Sequence, residues 1–184
     1  MKILQQSLFY FFIYTISLGL IYPIIVTGIG QLIFDNKSNG SLITFNDKTT
    51  GSRFIGQDFK NEKYFWGRPS ATSSAPYNPL SSGGSNMSLT NPALQKVLKE
   101  RAESLNTSGL KIPIDLITAS GSGLDPEISI ASAKFQVPRI SKARGMNEEK
   151  VLDLVNNLSD RKLLGVIGEP RVNVLMLNME LDKL

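Results

Sequence analysis

The chain has 184 residues, a formal charge of +4, and neither cysteine nor histidine. The length admits little beyond one ordinary domain. The two missing residue types exclude disulfides, Cys-rich zinc sites, thiol nucleophiles and Ser-His-Asp triads, and a mild positive charge without a basic run leaves nucleic acid no electrostatic footprint.

Apolar residues are unevenly spread. Hydrophobic types make up 22 of the first 34 positions, and no charge occurs between Lys2 and Asp35. Residues 8–34 therefore read as a transmembrane helix after a short N-terminal segment, 1–7. At about 1.5 Å per residue these 27 positions rise about 40 Å, enough to cross a hydrocarbon core of about 30 Å with tilt. A cleaved signal peptide would need a shorter apolar core and a small-x-small site. Pro23 removes a backbone donor and predicts a kink. Lys2 before the span, against Asp35 and then Lys37 after it, favours a cytoplasmic N-terminus and an extracytoplasmic remainder, 35–184. Gly19, Thr27, Gly28 and Gly30 offer small positions for contact with a partner helix.

Beyond the span, Ser41–Asn46 and Arg53–Phe59 read as short strands around a turn. That turn, Asp47-Lys48-Thr49-Thr50-Gly51, only approximates the D-K-T-G-T of P-type pumps, with its last two residues out of order. Residues 67–92 hold 19 Gly, Pro, Ser, Thr or Asn among 26. Tyr64-Phe65-Trp66 and Tyr77 favour an ordered loop, packed on the domain or on a partner, over disorder. Ser82-Gly83-Gly84-Ser85-Asn86 has the amides for a phosphate cradle but lacks the lysine of a P-loop.

Asn91 and Pro92 open an amphipathic helix with Leu94, Val97, Leu98, Ala102 and Leu105 on one face and Gly109 past its end. Ile112–Ser120 reads as a strand running into Ser120-Gly121-Ser122-Gly123-Leu124-Asp125-Pro126, with Asp125 as cap of a following helix. Strand, glycine loop and helix N-terminus can bind an anion. A structural turn, a nucleotide or partner contact through Ser120, Gly121, Ser122, Gly123 and Asp125, and a catalytic loop all stay open here. Glu127–Gly145 reads as helical with Ile128, Ala131 and Phe135 inward, broken by Pro138. Lys134, Arg139, Lys142 and Arg144 form a modest basic cluster of the kind usually solvated or paired with a helix C-terminus. Asn147 caps a last amphipathic helix, and Arg171–Leu181 reads as a central apolar strand. The fold class expected is one N-terminal transmembrane helix followed by a mixed α/β (α+β) domain with a central sheet and covering helices.

Certain blocks, in this order, resemble one family: KdpC, an accessory component of the Kdp potassium-transporting ATPase. They are Gly56-Gln57 with Phe59, Tyr64-Phe65-Trp66-Gly67-Arg68-Pro69-Ser70-Ala71, Tyr77-Asn78, Ser82 to Asn86, Thr90-Asn91-Pro92, Ser120 to Pro126, Ala143-Arg144-Gly145, Leu164-Gly165, and Gly168-Glu169-Pro170-Arg171-Val172-Asn173-Val174-Leu175 with Leu177-Asn178. The likeness covers nearly the whole chain, with Glu127 standing where members often have His. It implies a non-catalytic, single-pass subunit of a bacterial inner-membrane pump. A potassium-channel-like subunit, a P-type ATPase subunit and a small helical subunit would be its partners, with lipid around the span. By resemblance it would aid assembly and raise the ATPase subunit's affinity for ATP, as a catalytic chaperone. An external domain cannot reach cytosolic ATP, so ATP would act only through the partner ATPase subunit; no metal or catalytic group is assigned. Tyr64, Phe65, Trp66, Arg68, Tyr77, Ser82, Gly83, Gly84 and Asn86 would make partner contacts. The alternative is a membrane-anchored extracytoplasmic enzyme or ligand-binding domain using the Ser120–Asp125 loop.

Overall fold

The computed structural model describes residues 1–45, 47–105, 111–162 and 164–184. The chain forms two compact units, Met1–Thr50 and Gly51–Leu184.

The first unit is dominated by one continuous helix, Lys2–Ile33, long and apolar enough to cross a membrane, with none of its residues buried within the chain. It starts at Lys2 rather than Leu8, since nothing in residues 3–7 breaks a helix. It runs as α1 (Lys2–Ile16), a π-helical turn (Ser17–Ile21) and α2 (Tyr22–Ile33). Pro23 explains the π turn. Its ring would collide with the carbonyl four residues back, at Gly19. Widening the helix there, with the Tyr22 amide reaching the Ser17 carbonyl, absorbs the mismatch without ending the helix. The irregularity expected at Pro23 therefore takes the form of a π turn just before it. Phe34 leaves helical geometry at φ −128°, and a single further turn, α3 (Asp35–Ser38), follows.

β1 (Leu42–Phe45) pairs with β2 (Lys48–Ser52). The first matches the strand expected over 41–46, whose last residue, Asn46, lies outside the described residues. The second is displaced. Asp47 takes the left-handed turn at φ +60°, a conformation that aspartate tolerates, so pairing resumes at once and uses up the segment read as a turn. Arg53–Phe59 is then left as irregular chain.

In the second unit α4 (Pro92–Leu105) starts where expected, with the Asn91 side chain accepting from the Ala93 amide at 2.9 Å. The Gly109 stop lies outside the described residues. Ile112–Ser120 is not a strand: a 3-10 turn occupies Ile114–Leu116. Asp115 explains why. Its carboxylate accepts from the Ser129 amide at 2.8 Å and from the Ser129 and Ser132 hydroxyls, so a side chain 14 residues upstream reinforces the cap of α5. Burial works to raise the pKa of this carboxyl, but those hydrogen bonds outweigh it and hold it below the ordinary carboxylate value.

The expected helix start at Asp125–Pro126 is also corrected. Glu127–Ser129 is strand β3, and α5 spans Ile130–Arg144 with Ser129 as its cap. Pro138 does not break α5. It sits on the exposed face, where the carbonyl of the exposed Lys134 that it orphans can be met by water. The inward face is Ser132, Ala133, Gln136, Val137, Ile140 and Ser141. Ala131 is exposed and Phe135 half-buried, against expectation, because the helix phase is set from Ser129. α6 (Glu148–Leu158) is capped by Asn147 and buries Val151 and Val155.

The expected long strand over 171–181 is only β4 (Arg171–Asn173), antiparallel to β3 with Ile128 opposite Val172. Asn173 then accepts from the Met176 amide and opens α7 (Val174–Leu181). Val174, Leu177, Asn178 and Leu181 fall on one helical face. The cap overrides the β-favouring composition of the run, a tertiary and local override of propensity. The expected fold class stands, an apolar helix followed by a mixed helix-and-sheet domain. The sheet is small: among the described residues the strands form two two-stranded pairs, of which β3–β4 is antiparallel. α5, α6 and α7 close over β3–β4 around Phe65, Ile128, Val137, Ile140, Val151, Val155, Leu177 and Leu181. Replacing the fully buried Leu177 with alanine is expected to cost about 2–5 kcal/mol, measured by denaturant unfolding followed through the single tryptophan, Trp66.

Candidate functional site

The Tyr64-Phe65-Trp66 segment threads into the core without regular secondary structure. Two buried carboxamides supply what a neighbouring strand would. Asn178 on α7 accepts from the Phe65 amide at 2.8 Å and donates to the Phe65 carbonyl at 3.0 Å. Gln136 on α5 does the same for Trp66, at 2.8 and 3.1 Å. Each carboxamide is 2% exposed, so each is buried but paired.

Two arginines of the basic cluster complete this clamp instead of being solvated. The Arg139 guanidinium lies 3.7 Å from the centre of the Trp66 ring, and donates to the carbonyls of Glu62 and Tyr64 and to Gln136 Oε1. Burial lowers its pKa to about 10. Arg144 sits 5.0 Å from the Tyr64 ring centre, donates to the carbonyls of Lys63 and Leu181, and pairs with Asp182 at 2.6 Å. The Tyr64 hydroxyl donates to the same carboxylate. Phe65, named as a contact residue, is fully enclosed, while Tyr64 and Trp66 stay half-buried.

The Ser/Gly/Pro segment is ordered by stitching to the Ser120–Asp125 loop. The Ser120 amide donates to the Pro69 carbonyl, the Ser70 hydroxyl to the Gly123 carbonyl at 2.7 Å, and both the Gly83 amide and the Ser82 hydroxyl to the Ser122 carbonyl. Within the second loop the Ser120 hydroxyl accepts from the Gly123 amide and the Ser122 hydroxyl from the Leu124 amide. Gly123 has φ +69°, and an added Cβ would lie 2.5 Å from a Thr72 methyl and 2.7 Å from the Gly83 carbonyl oxygen. Here glycine is required twice over, for backbone angle and for closeness.

Arg68 Nη1 pairs with Asp125 at 3.1 Å, both side chains about one-quarter exposed. The Tyr77 hydroxyl donates to the Arg68 carbonyl. Burial first, then the charges of Asp58 and Asp125, push the Tyr77 phenol up to about 12. Glu127 pairs with Arg171 at 2.9 Å.

The loops named in the sequence thus converge on one surface. Gly83 and Gly84 are half-buried at the seam, while Ser82, Asn86, Gly121 and Ser122 face solvent. A cleft of about 180 Å³ beside the seam, lined by Asp58, Trp66, Arg68 and Tyr77, is below the roughly 300–1,000 Å³ of ordinary small-molecule sites. A groove of about 530 Å³ runs between Trp66, Phe135, Arg139 and Lys142 and the end of α4, where Arg139 Nη1 and Nη2 already donate to Glu62, Tyr64 and Gln136. The strand–loop–helix anion geometry does not form, because neither flanking element is present and the Gly123 and Leu124 amides are bonded internally. In the apolar helix, Cβ atoms added at Gly19 or Gly28 meet nothing within 4 Å, and one at Gly30 touches only Ser38. Thr27 is exposed alongside them.

Gln136 and Asp115 escaped the sequence reading, and so did the clamp roles of Asn178, Arg139 and Arg144, which it named without assigning. Each acts on chain far away in sequence, and nothing local to them marks that role.

Comparison with known proteins adds a whole-chain match. The family model described as "K+-transporting ATPase, c chain" (KdpC) matches residues 4–183. Proteins named potassium-transporting ATPase KdpC subunit are similar over their full length. One from Geobacter sulfurreducens is 48% identical, covering 100% of this chain and 99% of its own. One from Janthinobacterium sp. (strain Marseille) is 47% identical over 97% of each chain, and one from Serratia proteamaculans is 46% identical over 100% of each.

Gly123→Ala is expected to lose about 2–4 kcal/mol, combining left-handed strain with overpacking. Gly165→Ala, at φ +76° but with open space around it, is expected to lose only about 1–2 kcal/mol; unfolding curves of the two variants check the difference. Alkaline titration offers an independent check on Tyr77. The folded phenol keeps its proton to about 12 while an unfolded one loses it near 10. The native state then binds more protons between those values, so stability falls as pH rises from about 10 to about 12. Tyr77→Phe should flatten that part of the stability curve.

Proposed function

Because the chain belongs to the KdpC family, we propose that it is a non-catalytic accessory subunit of a high-affinity, ATP-driven potassium uptake pump. The family match over residues 4–183 carries the reading, and the membrane anchor agrees with it. ATP hydrolysis belongs to a P-type ATPase subunit, and potassium selection to a channel-like subunit. The assembly also holds a small helical subunit.

In this reading the domain boundaries are the N-terminal segment 1–7, the span 8–34 and the domain 35–184. The N-terminus lies in the cytoplasm and the domain outside it, at the bacterial inner membrane. The span packs on partner helices along Gly19, Thr27, Gly28 and Gly30, where open space lets another backbone approach. The stitched surface around Trp66, Arg68, Tyr77, Ser82, Gly83, Gly84, Asn86 and the Ser120–Asp125 loop docks on the channel-like subunit. Its cross-bonds order it before binding, which lowers the entropy lost on association. The chaperone effect on ATP affinity reaches the ATPase subunit through the assembled complex.

A tagged chain extracted from its own membrane in mild detergent is expected to bring potassium-stimulated ATPase activity with it. Recovery of the chain alone, with that activity in another fraction, sinks the subunit reading. Protease added to intact spheroplasts is expected to remove the domain and spare the span; a protected domain reverses the orientation and reopens direct contact with ATP.

A further inference from the structure

One surface feature of the second unit serves neither the clamp nor the stitched loops. Asp160 and Arg171 exchange backbone hydrogen bonds at 2.8 and 3.2 Å and bring together the two ends of a tongue, of which residues 161–162 and 164–170 are described. Leu164 is 87% exposed, Val166 79% and Ile167 63%. Grouped exposure of large aliphatic side chains on a soluble surface marks a contact site.

The backbone holds these side chains outward. The Gly165 amide donates to the Lys162 carbonyl, and Leu164, Gly165 and Gly168 take positive φ angles of 54°, 76° and 93°. Arg161 and Lys162 precede the apolar tip, both exposed, against a single acidic residue, Glu169. Two cations behind an apolar tip suit a bilayer surface, with aliphatic groups among the upper acyl chains and cations at anionic headgroups. The chain is already anchored in a bilayer, so even a weak contact operates at high effective concentration.

We infer that the 161–170 tongue is a lipid-interface contact of the domain, seated in the headgroup region of an anionic membrane through Leu164, Val166 and Ile167 with Arg161 and Lys162 on phosphate. The inference rests on the membrane anchor and not on the subunit reading.

The absence of native cysteine makes the test direct. Full-length chain carrying Val166→Cys, labelled with an environment-sensitive dye, is reconstituted alone into vesicles of phosphatidylethanolamine and phosphatidylglycerol. The expected emission is blue-shifted and quenched by lipids brominated near the headgroup, relative to the same dye at the exposed Lys134→Cys. The shift should shrink when phosphatidylcholine replaces phosphatidylglycerol, and also in an Arg161→Glu, Lys162→Glu background that keeps the unlabelled chain's far-ultraviolet circular dichroism. Emission matching the Lys134 control overturns the inference. A shift seen only after partner subunits are added overturns it too, and assigns the tongue to a protein. Co-purification of potassium-stimulated ATPase activity with the tagged chain from its native membrane tests the subunit reading separately, so either idea can fail alone.

Discussion

Two side-chain amides hold the second unit together. Gln136 and Asn178 sit on different helices, α5 and α7, and each satisfies both backbone groups of one residue in the Phe65–Trp66 pair. Without them, four peptide groups would enter the core unpaired, each costing about 1–3 kcal/mol. With them, an aromatic segment that belongs to no strand can be buried as though it did. Phe65 then sits in the hydrophobic cluster, and α5 and α7 are both tied to the same segment.

The rest of the domain follows from that placement. Once Trp66 is fixed, Arg139 can stack on its ring and tie down Glu62 and Tyr64, while Arg144 bridges Lys63 to the end of α7. Chain leaving Trp66 enters the Gly67–Pro69 stretch in a defined direction, which brings Ser70 to Gly123 and Pro69 to Ser120. The Ser/Gly/Pro segment thus gains order from polar cross-bonds, having too few apolar groups to bury. Its exposed rim is held in place by those cross-bonds.

The apolar helix obeys a different constraint. No residue between Lys2 and Ile33 is buried by the chain itself, and the helix is long and apolar enough to cross a membrane. The π turn ahead of Pro23 keeps its backbone hydrogen-bonded where a simple break would leave polar groups facing hydrocarbon.

Local rules read from the sequence were reliable where one local cause decides the outcome. The uncharged run determined the membrane helix, and the caps at Asn91 and Asn147 determined two helix starts. The ordered blocks of Trp66, Gly123 and their neighbours determined the family. The reading failed where distant chain competes with local pattern. Ile112–Ser120 reads as a strand, but Asp115 is drawn to Ser129 and Ser132; the strand read over Arg171–Leu181 failed for a different reason, since the adjacent Asn173 cap that turns Val174–Leu181 into a helix is a local signal outweighed in the reading by β-favouring composition. Arg139 and Arg144 read as solvated until their carbonyl and aromatic partners arrive from about 75–80 residues away. Hydrophobic period and capping are written in neighbouring residues. The partner of a buried amide or a stacked guanidinium is chosen by tertiary proximity, and only the folded chain supplies that.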